Sequence, residues 1–84
     1  MKVLVRLHGY IASECGVDSL ELDGLRGDEC VKDILAMVRR RLKSPEDELG
    51  SLEPLVTINF LIASPNAKLK EGDVVDILPP AVGG

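Results

Sequence analysis

Residues 28–45 read DECVKDILAMVRRRLKSP, and the fold turns on them. Val31, Ile34, Leu35, Val38 and Leu42 are spaced i, i+3, i+4, i+7 and i+11, which puts them on one stripe of an α-helix. Asp28 is a candidate N-cap, and Glu29 adds negative charge to the first turn. Arg39, Arg40, Arg41 and Lys43 complement the negative end of the helix dipole. Ser44-Pro45 stops the helix and supplies the N-cap and first position for a short second one. On both sides of this segment the apolar residues recur at every second position instead.

On the N-terminal side, residues 2–8 alternate. Val3, Val5 and Leu7 share one face, and Lys2, Leu4, Arg6 and His8 share the other. Gly9 ends this strand. Residues 17–22 form a second strand, with Leu20 and Leu22 inward, and the short connection predicts a hairpin. On the C-terminal side, residues 55–60 turn Val56 and Ile58 inward, and Leu61-Ile62-Ala63 makes a brief strand before the turn Ser64-Pro65-Asn66. Residues 73–78 form the last strand, with Val75 and Ile77 inward and Val74, Asp76 and Leu78 outward. Gly72 takes positive φ in the turn that feeds it. Pro79-Pro80 cannot continue a ladder.

The inward residues of both periodicities must meet in one interior. The element order β-β-α-β-(β)-β then predicts an α+β chain: a mixed sheet of four to five strands with one main helix packed on one face. That is the ubiquitin-like β-grasp arrangement. Residues 1–78 are expected to be the domain, and residues 79–84 an extended, flexible tail.

Composition narrows the function. At 84 residues this is one domain, which buries only ~60–65% of its unfolded surface. It holds 13 Leu, 9 Val and 5 Ile, whereas Tyr10 and Phe60 are the only aromatics, so the core is aliphatic. Readers of single-stranded nucleic acid stack bases on aromatic rings, and this chain lacks such platforms. The net charge of −4 divides as −1 over residues 1–27, +2 over 28–43 and −5 over 44–84. Such a domain suits a basic protein partner better than a phosphate backbone. The charge-free stretch Leu55 to Ala67 is broken by polar residues and too short to span a bilayer. With no secretory signal pattern at the start, the cytoplasm is the expected location. Cys15 and Cys30 lack CxxC spacing and read as two partly buried thiols. Structural zinc needs four ligands, and the chain has two Cys and one His, so no metal or bound cofactor is expected.

Phosphate-binding glycine loops, HExxH and GxSxG are all absent. His8 lies on the outward face of its strand, and the sequence identifies neither a nucleophile nor an orienting partner for it. Arg39-Arg40-Arg41 reads as a solvated helix end that satisfies last-turn carbonyls. The chain is therefore not expected to be an enzyme by itself. Its unusual feature is the ending Gly83-Gly84. Glycine has no Cβ, so such a backbone can thread a channel too narrow for other residues. The Gly84 carboxylate is charged and resonance-stabilised at pH 7, so acyl chemistry there needs outside activation. Six residues from Pro79 reach at most ~20 Å, enough to enter a partner's active site. Pro79 and Pro80 stiffen the exit and lower the entropy lost on threading.

The segment VTIN (56–59) and the run LKEGDVVDILPPAVGG (69–84) resemble the MoaD/ThiS family of ubiquitin-fold sulfur carriers, and the MoaD branch most. The resemblance implies that a ubiquitin-activating-type enzyme uses ATP to adenylate Gly84. Sulfur from a cysteine-derived persulfide then replaces the adenylate and leaves a thiocarboxylate. It implies docking on the large subunit of molybdopterin synthase, insertion of the tail with Gly83 as the threading residue, and sulfur donation in molybdenum cofactor biosynthesis. The chain would thus act as the small subunit of that synthase. The family docks through its outer sheet face, which here corresponds to Leu4, Arg6, Ile62, Val74 and Leu78, with Pro79 and Pro80 beside the tail and His8 at the edge. Leu4, Ile62, Val74 and Leu78 are also apolar where alternation predicts solvent. The same ending fits a ubiquitin-like protein modifier, of the small archaeal or ubiquitin-related type, that couples Gly84 to target lysines. A plain interaction module is the third reading. The chain departs from the family at Ile58-Asn59-Phe60, where Val-Asn-Gly is common. Phe is a poor second residue for a type I′ turn, so the turn is expected to differ or Phe60 to pack inward.

Overall fold

A computed structural model describes residues 1–41 and 54–80. Leu42 and Lys43 of the helix reading, the Ser44-Pro45 stop, the short second helix, Gly83 and Gly84 lie outside the described residues. The elements are β1 (Val3–Leu7), α1 (Gly9–Cys15), β2 (Ser19–Leu22), α2 (Val31–Arg39), β3 (Leu55–Ile58), β4 (Leu61–Ile62) and β5 (Val74–Leu78). They form one five-stranded mixed sheet in the order β2-β1-β5-β3-β4. β1 and β5 pair in parallel at its centre, and the other neighbours are antiparallel. This is the β-grasp arrangement expected from the order of periods. Neither described helix is long and apolar enough to cross a membrane.

The two central strands turn only aliphatic residues inward, and these form the middle of the core. Val3, Val5, Leu7, Val75 and Ile77 are buried together with Val31, Ile34 and Val38 of α2 and Val56 of β3. Leu20, Leu22, Leu35 and Ile58 are half-buried against them, and Ile11, Leu25, Cys30 and Leu69 complete the buried set.

Three expectations are corrected. The first is the β1–β2 hairpin. The strands do pair antiparallel, Val3 opposite Leu22 and Val5 opposite Leu20, but α1 fills the connection. Its C-cap Gly16 has φ 78° and donates to the Ala12 carbonyl at 2.9 Å. Seven residues are too few to display a helical period, and such a helix is marginal alone. Complete burial of Ile11 stabilises it, which no local pattern reveals.

The second correction concerns the start of α2. The N-cap is Cys30, not Asp28, and the Asp33 carboxylate accepts the Cys30 backbone N–H at 2.9 Å. The loop before β5 satisfies the first-turn donors: Val31 N–H donates to Ala67 O and Lys32 N–H to Pro65 O, both at 3.0 Å. Donors already paired across the fold do not need Asp28. The Glu29 carboxylate faces backward and accepts the N–H groups of Arg26 (3.0 Å) and Gly27 (2.9 Å). Those bonds bring its pKa down to about 2.

The third is the β3–β4 turn. Asn59 and Phe60 both have positive φ, 50° and 71°, as a type I′ turn requires, and Phe60 is 74% exposed. Phe is unfavourable there, yet Asn59 imposes the geometry. Its N–H donates to Val74 O at 2.8 Å, its Nδ2 donates to Asp73 Oδ1 at 3.0 Å, and its Oδ1 accepts the Val74 N–H at 3.0 Å. Two bonds to Val74 of β5 and one to the preceding Asp73 hold the tip against the cost of placing Phe in the left-handed region. Gly72 takes positive φ, 82°, as expected from the turn chemistry.

Candidate functional site

Strand register assembles the outer face of the sheet. Leu4 lies opposite Val74, Arg6 opposite Asp76, and Leu55 opposite Leu78. Thr57 lies opposite both Asp76 and Ile62. Leu4, Arg6, Ile62, Val74 and Leu78 therefore share one face. Leu4, Val74 and Leu78 are half-buried, whereas Ile62 is 78% exposed on the edge strand. Polar residues divide the apolar ones: the row Arg6, Asp76, Thr57 runs between Leu4 with Val74 on one side and Leu78 with Leu55 on the other.

Asp76 is the residue that sequence reasoning missed. Alternation places it outward, and it is outward, yet it is only 5% exposed. Arg6 grips it with two parallel bonds, Nε to Oδ1 at 2.7 Å and Nη2 to Oδ2 at 2.8 Å. His8 Nε2 stands 2.8 Å from the same Oδ1. Bidentate guanidinium–carboxylate pairs are among the stronger charge-assisted bonds. Arg6 holds the Asp76 carboxyl below its usual range, chiefly by hydrogen bonding, and Asp76 in turn raises the Arg6 pKa. His8 thus has an orienting partner. The signal was the i, i+2 placement of Arg6 and His8 with an outward Asp76, but only the parallel β1–β5 register joins them.

The turn at Asn59-Phe60 completes the wall. The Phe60 ring lies over the Arg6 guanidinium, 5.2 Å from its centroid, within cation–π range. Arg6, His8, Asp76, Thr57, Leu55, Leu78 and Phe60 line an open groove of about 310 Å³. At its Leu78 end β5 passes into Pro79 and Pro80, both half-buried. Pro79 lies against Gly9, the first residue of α1. The groove holds one committed ion pair, a half-exposed imidazole and apolar walls. Asp76 is already engaged by both Arg6 and His8. Cys15 and Cys30 are free thiols away from this groove, and burial pushes the Cys15 thiol pKa up.

No protein-family model matches the sequence, and no curated protein matches it. Solved structures do. A Pyrococcus furiosus protein assigned as molybdopterin converting factor subunit 1 is 23% identical, with a TM-score of 0.78 over 96% of this chain and 99% of that one. Small archaeal modifier protein 1 from Haloferax volcanii is 22% identical, with a TM-score of 0.78 over 95% and 98%. A complex of subunits 1 and 2 of molybdopterin-converting factor from Helicobacter pylori contains a chain 26% identical, with a TM-score of 0.64 over the whole of both chains. The chain therefore has the ubiquitin-like fold of the MoaD/ThiS family, to which its last third also bears the motif resemblance.

Proposed function

We propose that this chain is a sulfur carrier that acts through Gly84. A ubiquitin-activating-type enzyme spends ATP to adenylate the terminal carboxylate. A persulfide attacks the acyl adenylate and expels AMP, a thiol reduces the resulting acyl disulfide to the thiocarboxylate, and that group supplies sulfur to a molybdopterin precursor held by the synthase large subunit. Residues 1–78 are the docking body, residues 79–84 the reactive tail, and the cytoplasm the place of work. One observation carries this reading: Pro79-Pro80-Ala81-Val82-Gly83-Gly84 follows directly on β5, a central strand of a β-grasp sheet whose outer face borders the tail's exit. The complex of two subunits among the similar structures supports a large-subunit partner. A second reading has equal support in fold, since a small archaeal modifier protein is as similar as the converting-factor subunit. In that reading Gly84 is coupled to target lysines after the same activation.

The test is incubation of the full chain with a purified adenylating enzyme, ATP, a persulfide donor and a thiol reductant, followed by mass spectrometry of the C-terminal peptide. The carrier reading expects one oxygen of Gly84 to be replaced by sulfur. Incubation in cell extract separates the alternative, which expects Gly84 isopeptide-linked to lysine. An unchanged Gly84 in both experiments rules out both readings.

A further inference from the structure

The geometry points to a protein partner that inserts a carboxylate side chain, Asp or Glu, into the groove beneath Phe60, where it takes the unspent donors of Arg6. This deepens the carrier reading and rests on it for the choice of partner.

The groove has a polar floor and apolar walls. Asp76 Oδ1 meets both Arg6 Nε and His8 Nε2, and Oδ2 meets Arg6 Nη2. A guanidinium has five N–H donors, and the two bonds to Asp76 use two of them. The Arg6 side chain is 37% exposed and that of His8 43%, whereas Asp76 is closed off at 7%. What the groove offers to an approaching surface is therefore donor capacity, chiefly from Nη1. A partner covering Leu78, Leu55, Phe60 and Ile62 must remove this floor from water. Burying donors without acceptors is costly, whereas a charge-assisted bond offsets the desolvation.

A carboxylate fits better than a neutral carbonyl. Arg6 then becomes a cation shared between Asp76 and the incoming acid, and the half-exposed His8 stands beside it. The chain's overall charge of −4 favours a basic partner at long range, but screening over ~8 Å leaves contact groups to decide the groove. The walls fix the shape of the occupant: a projecting acid flanked by apolar residues, since the space of about 310 Å³ is open above and apolar at the sides.

The experiment uses the full chain and a purified ubiquitin-activating-type adenylating enzyme from the same source. Binding is measured by calorimetry without ATP, so that chemistry at Gly84 does not enter. Arg6→Leu/Asp76→Leu removes both charges together, which avoids stranding one of them, and a thermal melt confirms that the variant folds. Arg6→Gln/Asp76→Asn keeps a neutral donor in place. The double-leucine variant is expected to bind about tenfold or more weakly, and the Gln/Asn variant several-fold more weakly, with both melts cooperative. Binding of the folded double-leucine variant at full affinity would overturn the proposal. Full affinity of the Gln/Asn variant would also overturn it, because a neutral acceptor would then suffice. Failure of the unmodified chain to bind would sink this proposal and the carrier reading together. Arg6-dependent binding without adenylation of Gly84 on adding ATP would remove the carrier reading alone.

Discussion

A Cβ on Gly9 would stand 2.9 Å from Cγ of Pro79, so the residue that starts α1 touches the residue that begins the tail. Gly9 also has φ 58°, in the left-handed region where a side chain costs roughly 1–2 kcal/mol. Gly9→Ala is therefore expected to destabilise the domain by about 1–2 kcal/mol in urea melts and to slow acyl transfer by displacing Pro79. Full stability and transfer in this variant would show that the contact does not set the tail's exit.

Ile34 and Ile11 are fully buried in one core. Replacing either by Ala is expected to cost about 2–5 kcal/mol. For Ile11 this tests whether the short α1 is held by burial. A loss well under 1 kcal/mol would mean that the helix can detach without disturbing the sheet.

The β3–β4 turn predicts an order of effects. Asn59→Ala deletes two side-chain hydrogen bonds and leaves Ala at positive φ, and should cost roughly 1–3 kcal/mol. Phe60→Gly removes a ring that is mostly in solvent and relieves the same strain. It should change stability by less than about 1 kcal/mol. Reversal of this order in thermal melts would show that the ring, not the amide, holds the turn.

Glu29 and Asp76 both have lowered folded-state pKa values, Glu29 to about 2 from 4.5. A carboxylate with a depressed pKa stabilises the fold above its unfolded value, and that stabilisation disappears as pH falls through the folded value. The melting temperature should therefore fall as pH drops from about 4.5 toward 2, and Glu29→Gln should flatten this dependence. An unchanged acid profile in Glu29→Gln would show that its two backbone bonds are not maintained in solution.

Deletion of Gly84, or Gly83→Val, should leave the melting curve unchanged and abolish sulfur transfer or conjugation. Adenylation needs the free glycine carboxylate, and threading needs a backbone without side chains. A chain lacking Gly84 that still accepted sulfur would leave only the interaction-module reading.

What the sequence determined by itself is the architecture. The stripe Val31, Ile34, Val38 and the alternation in residues 3–7 and 74–78 are local signals, because burying one face of a helix or strand demands a fixed period. The Gly83-Gly84 ending is legible in the same way, since it lies in consecutive residues. Tertiary structure alone decided three things: that α1 forms, that Cys30 rather than Asp28 caps α2, and that Asp76 is buried between Arg6 and His8. Each depends on residues far apart in the chain: Ile11 in the common core, Ala67 and Pro65 against the first turn of α2, and β1 beside β5 in parallel. A hydrogen bond between positions 6 and 76 leaves no periodic trace in either segment, because its energy exists only after the strands have been brought side by side.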